Sequence, residues 1–169
     1  HRNSAANAAG FVKSQASFDS PDVNLVQIEL PYASDVVGKR YAPPNTSWAL
    51  CAGLVAPKSR GELRLKSANP ADRPIVDARF LSHPDDVKAL AYGIELARDI
   101  GNSAAMRDYV KREVAPGQKL TGLEMENFVR DGATTYFHQA GTCRMGTDAD
   151  SVVDERLRLA EHRHVAAQQ

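Results

Sequence analysis

The chain has 169 residues, 43% of them hydrophobic, with 21 basic and 21 acidic side chains. That suffices for one domain with a core, and balanced charge leaves no excess to hold a phosphate backbone or an anionic membrane surface, which argues against nucleic acid as a partner. No apolar run is long enough to span a bilayer, the best being AGLVA at 52–56, so no membrane span is expected.

Residues 1–20 are rich in Ser, Ala and Asn around one apolar island, Gly10-Phe11-Val12, and read as a flexible lead-in with room for a short strand. The first residue is His1, and HRNSAANAAG lacks the apolar core of a signal peptide, so targeting is not legible from it. NLVQIEL at 24–30 alternates, with Leu25, Gln27 and Glu29 on one face and Val26, Ile28 and Leu30 on the other, which is strand spacing. A loop follows, broken by Gly38, Pro43 and Pro44, and WALCAGLVA at 48–56 reads as a more deeply buried strand. PKSRG at 57–61 turns into GELRLKS, and the short glycine-containing connection suggests that these two runs are antiparallel neighbours.

After an Asn-Pro turn at 69–70, IVDARFL at 75–81 is a short extended piece. Ser82-His-Pro-Asp85 has the spacing of a capping box, and Val87, Leu90, Ala91 and Ile94 then share a helical face up to the stop at Gly101-Asn102. A second capping box, Thr121-Gly-Leu-Glu124, opens a shorter helix that buries Met125, Phe128 and Val129 and ends at Gly132. No repeat or linker interrupts the chain, so the expected fold class is α+β, an antiparallel sheet flanked by helices.

The segment YFHQAGTCRMG at 136–146 carries the chemistry. Histidine is the side chain whose ordinary pKa lies nearest neutrality, so His138 can take a hydroxyl proton without a large environmental shift. Gly141 permits close backbone approach, and Thr142 offers a hydroxyl and an amide as donors. A lone loop histidine is more often structural than catalytic, and the residues by themselves leave both readings open. Cys143, five residues on, invites a nucleophile reading, but no third group completes one, so a buried structural thiol is expected. Two cysteines without CxxC or Cys/His spacing make neither a disulfide framework nor a zinc site, which fits a cytoplasmic, reducing compartment.

Asp148, Asp150 and Asp154 have the look of a calcium loop without its turn glycine or closing glutamate, so solvated carboxylates and no metal are expected. His162 and His164 in the tail make only a weak metal pair. Trp48 and Tyr136 are either pocket aromatics or plain core. Arg144 is free to pair with Asp148 or to contact a cofactor.

The order F-H-Q-A-G-T-C-R-M-G-T-D, followed by SVVD at 151–154 and LRL at 157–159, resembles the C-terminal signature of the glucose-methanol-choline (GMC) flavoenzymes. PKSRGELRLKSANP at 57–70, PIVDARFLSHPDDVKAL at 74–90 and NAAGFV at 7–12 are similar to other blocks of that family, so the resemblance covers nearly all of 7–159. It implies that residues 21–159 are the substrate-binding domain of an FAD-dependent enzyme that oxidises a primary alcohol, choline-like, aliphatic or aromatic, to an aldehyde. It further implies that His138 is the acid/base residue, taking the hydroxyl proton while hydride leaves for the flavin, and that Gly141 and Thr142 lie close to the isoalloxazine ring.

The sequence also departs from the family pattern. No GxGxxG is present, so the FAD-binding Rossmann part is absent from this chain. From Ala160 the sequence reads AEHRHVAAQQ, a divergent tail at 160–169 that lacks the family's second active-site residue. The expectation is a chain that by itself binds FAD weakly or not at all. It would then self-associate or complement a separate chain carrying the FAD-binding domain, or be a non-catalytic remnant.

Overall fold

The run VNLVQI, with apolar residues on both faces, forms β2 (Val23–Ile28), the central strand of a three-stranded antiparallel sheet. The computed structural model describes residues 6–159. The lead-in supplies a full strand, β1 (Ala6–Val12), paired with β2 from Ala6↔Ile28 to Val12↔Val23 with a register shift between Ala6 and Ala8. On the other side of β2 lies β3 (Ala49–Leu54), in register from Val23↔Leu54 to Ile28↔Ala49. Strand alternation puts Val23 and Leu25 on one face with Ala52 and Leu54, and Val26 and Ile28 on the other with Cys51. Val23 is fully buried and Leu25 nearly so, which makes theirs the core face.

Helix α2 (Pro84–Gly101) covers that face. Its cap is His83, whose Nδ1 accepts from the Asp85 amide at 3.2 Å, with Pro84 at the first helical position where a missing N–H costs nothing. Ser82, expected as the cap, stands one residue too early, because Pro84 and the extended backbone of His83 set the start. The expected face is largely inside: Val87 is buried, and Leu90, Ala91 and Ile94 pack against the core. Gly93 is where helix and sheet come closest. A Cβ there would lie 2.8 Å from Ala52 Cβ and 2.9 Å from Val23 Cγ1, so only a residue without one fits.

Helix α2 also ties down the turn after β3. Asp86 is 3% exposed and accepts from the Lys58 and Ser59 amides, each at 2.8 Å, and from Ser59 Oγ at 2.5 Å. Burial alone would raise its pKa, but these donors outweigh that and hold the carboxyl below the ordinary aspartate value. At the far end, Arg98 pairs with Glu113 at 2.7 Å, both side chains being mostly buried, and so anchors the connection beyond the helix. Burial pushes Glu113 upward, but hydrogen bonds from Arg98 and Asn102 bring it net down.

Two further helices complete the core. The expected loop after β2 holds a short helix, α1 (Asp35–Tyr41), capped by Ser34, whose Oγ accepts from the Val37 amide at 3.2 Å and donates to the Asp131 carbonyl at 2.6 Å. α3 (Leu123–Gly132) buries Met125 and Val129 and rests Phe128 against the cluster of Leu81, Val87 and Leu120. Only half of its expected capping box forms: Glu124 accepts from the Thr121 amide at 3.3 Å, while Gly122 is the cap and the Thr121 side chain does not bond back.

The chain divides into two compact units, each made of two stretches: residues 1–61 with 79–134, and 62–78 with 135–169. Everything above belongs to the first. In the second, β4 (Glu62–Arg64) pairs antiparallel with β5 (Ile75–Asp77), closed by a turn in which Ser67 Oγ donates to Asp72 at 2.7 Å. β4 is therefore not the partner of β3. The 57–61 stretch does not close a hairpin because its Lys58 and Ser59 amides are held by Asp86 of α2. The fold is α+β, with antiparallel sheets and three helices.

Candidate active site

The motif lies in the second unit, in a loop that opens directly after α3. His138, Gly141 and Thr142 share this loop, and all three are exposed. The His138 ring sits beside the Tyr136 ring, centroids 6.2 Å apart and planes tilted by 51°. Phe137 before it has φ 60° and Gly141 after it φ 103°, so the chain turns through left-handed backbone on both sides of the histidine. The Thr135 hydroxyl accepts from the Phe137 amide at 2.9 Å and also from the Gln139 side-chain amide.

Beyond the histidine the loop is held by short-range polar contacts. Arg144 forms a two-pronged ion pair with Asp148, one arm at 2.8 Å, and this arginine holds the Asp148 carboxyl far below its usual range. Of the two sequence readings of Arg144, pairing with Asp148 is the one observed. Asp154 accepts from Arg158 Nε at 2.7 Å and from the amides of Arg156 and Arg158. The Gly146 amide donates to the Val153 carbonyl at 3.0 Å, and the Val152 amide to the Arg144 carbonyl at 2.9 Å. Asp148 and Asp154 thus serve as arginine partners, and among the described residues no three metal-ligating side chains converge.

Cys143 is exposed, not buried as expected, because the described residues of this unit form no apolar interior to receive it. Cys51 is the more enclosed thiol, and burial raises its pKa. Trp48 is half-buried at the edge of the first unit, and Tyr136 is 44% exposed. His162 and His164 lie outside the described residues. No described helix is long and apolar enough to cross a membrane.

Comparison with known proteins identifies the family. The GMC oxidoreductase C-terminal family model matches residues 57–166, well over half of the chain. The chain belongs to the GMC oxidoreductase family. Among its relatives is an alcohol dehydrogenase [acceptor] of Pseudomonas putida, 38% identical over 164 residues, covering 96% of this chain and 29% of that protein. An oxygen-dependent choline dehydrogenase of Brucella ovis is 35% identical over 155 residues, covering 90% of this chain and 28% of its own length. The GMC chain thus spans under a third of the relatives it matches.

Solved structures agree. A pyridoxine 4-oxidase from Mesorbium loti superimposes with a TM-score of 0.80 at 27% identity, covering 92% of this chain and 30% of that one. A formate oxidase of Aspergillus oryzae, studied for its FAD modification, gives 0.68 at 26% identity, over 84% and 25% of the two chains. FAD is the cofactor that the family implies.

The loop leaves open space beside Gly141. A Cβ at Gly141 would meet nothing within 4 Å, so a flat ring system has open access to backbone there, flanked by the exposed Thr142. It does not form an enclosure. Two surface clefts, one at Arg107 and Lys111 and one between Tyr41 and Phe128, take no residue from the loop.

The sequence reading passed over Thr135. The signal for it was a hydroxyl two residues before a backbone amide that must bend, the pattern of a Ser/Thr turn.

Proposed function

We propose that this chain is the substrate-binding part of an FAD-dependent alcohol oxidoreductase and that His138 is its acid/base residue. The observation that supports this most is the loop itself, an exposed imidazole followed three residues later by an open, side-chain-free Gly141. His138 accepts the hydroxyl proton of a primary alcohol on an imidazole nitrogen, and that transfer raises electron density on the carbinol carbon. Bound FAD supplies the acceptor for the hydride that this carbon then loses, leaving an aldehyde. Gly141 and Thr142 would line the flavin when it is bound, the glycine by leaving room and the threonine by offering donors. Choline-like, aliphatic and aromatic alcohols all have the required carbinol group.

The flavin's remaining walls come from a partner domain, the FAD-binding one, that lies outside these 169 residues. Coverage of only 29% of the Pseudomonas putida relative and the bare apolar surface of the second unit both support it. Without that partner the chain self-associates. The test mixes the purified chain with FAD, with and without the separately expressed FAD-binding segment of that relative, and adds choline, butanol or benzyl alcohol. Flavin bleaching only in the ternary mixture, and its loss in H138Q, is the expected result. A stoichiometric flavin spectrum from the chain alone would overturn the incomplete-site reading. Bleaching that persists in H138Q would overturn the role of His138. A clean monomer across a wide concentration range in sedimentation would count against self-association.

A further inference from the structure

We propose that Thr135 is the positioning residue for His138, a role that rests on the acid/base reading above. The two donors that converge on the Thr135 hydroxyl come from Phe137 and Gln139, the residues on either side of the histidine. One hydroxyl therefore brackets the imidazole-bearing residue from both directions. The bracket is needed because Phe137 stands at φ 60°, a region that an aromatic side chain with a Cβ enters only when something holds it there.

Packing is not what holds it. Phe137 itself is 75% exposed, and Ser151 is the one buried residue among those described in this unit. With hydrophobic packing out of reach, the Thr135 hydroxyl fixes the backbone locally through the Phe137 amide and gathers the Gln139 side chain to the same point. The consequence for catalysis is orientation. A general base works only when its nitrogen stays within hydrogen-bond reach of the proton it takes, and a histidine on an unpinned loop spends most of its time elsewhere. The same turn sets the imidazole beside the Tyr136 ring, which limits it on one side. The hydrogen bonds that reach Thr135 come from Phe137 and Gln139, so its effect on the histidine runs through the turn.

The test compares T135V, which keeps the shape and removes the acceptor, with T135S, which keeps the acceptor. The full chain is labelled for NMR, and three signals are followed: amide exchange at Phe137, its intraresidue NH–Hα contact as the mark of left-handed backbone, and the His138 ring resonances. In T135V the Phe137 amide is expected to exchange about tenfold faster, the scale of one lost hydrogen bond. The left-handed mark is expected to fade and the His138 resonances to move to those of an unstructured peptide, while T135S retains all three. Amides of α2 report whether the rest of the chain stays folded. A T135V chain with wild-type Phe137 exchange and His138 resonances would overturn the proposal. H138Q in the bleaching assay tests the acid/base reading separately, so the two can fail independently.

Discussion

In the unit formed by residues 1–61 and 79–134, ten apolar side chains from Val23 to Val129 are buried between a sheet and three helices. In the unit that carries His138, Leu65, Phe137 and Leu157 are 83, 75 and 70% exposed, and order comes from turns and arginine–aspartate pairs. The difference matters because burial is what stabilises a fold, at about 25 cal/mol per Å² of apolar area, whereas exposed ion pairs contribute about 0–1 kcal/mol. The first unit thus has a buried apolar core to stabilise it, and the described part of the second, which carries His138, leaves its large apolar side chains exposed.

The largest expected effect separates the two directly. Met125→Ala, in the core of the first unit, should cost about 2–5 kcal/mol, while Leu65→Ala in the second should stay within about 0.5 kcal/mol. Urea unfolding followed by circular dichroism measures both, and equal losses would erase the contrast. Next, Asp86→Ala strands the Lys58 and Ser59 amides and should cost about 1.5–3 kcal/mol. Because the folded-state pKa of Asp86 is depressed, its contribution is complete above the unfolded value of about 3.9 and is lost as pH falls through the folded value. The acid limb of the wild-type stability curve, below about pH 4, should therefore flatten in Asp86→Ala.

Gly93→Ala forces a Cβ against Ala52 and Val23 and should cost about 1–3 kcal/mol, readable as a lowered melting temperature. The smallest effect belongs to the second unit. Arg144→Ala breaks an exposed pair and should leave the global unfolding midpoint unmoved in high salt, with any change confined to low ionic strength. A large drop at both salt levels would mean that this loop helps to carry the fold.

Much of the first unit was legible because its elements follow period and cap rules. The α2 face and the Met125/Val129 stripe of α3 follow the 3.6 period, and 24–28 and 49–54 fall in strands as alternation and apolar content suggest. The errors came where one signal masked or overrode another. Gly38 and the two prolines masked the Ser34 cap of α1, since breakers at the end of a short helix look the same as breakers in a loop. The expected β3–β4 hairpin failed because a long-range contact, Asp86 to the 58–59 amides, claimed the turn, and no local rule sees across 27 residues. The loop around His138 has no periodicity at all, so the role proposed for it rests on family resemblance. Its internal bonding, Thr135 above all, needed coordinates.

The interleaving of the two units has a practical meaning for anyone recombining such genes. Each unit is encoded by two separated stretches, so no single uninterrupted piece of the reading frame specifies the His138 unit. A chimera that exchanges only residues 135–159 with a relative leaves β5 and β4 behind, and one that exchanges only 62–78 leaves the histidine behind. Crossovers that respect the molecule must therefore be made in pairs, at the ends of both inserts, and single-crossover libraries will be dominated by mismatched halves.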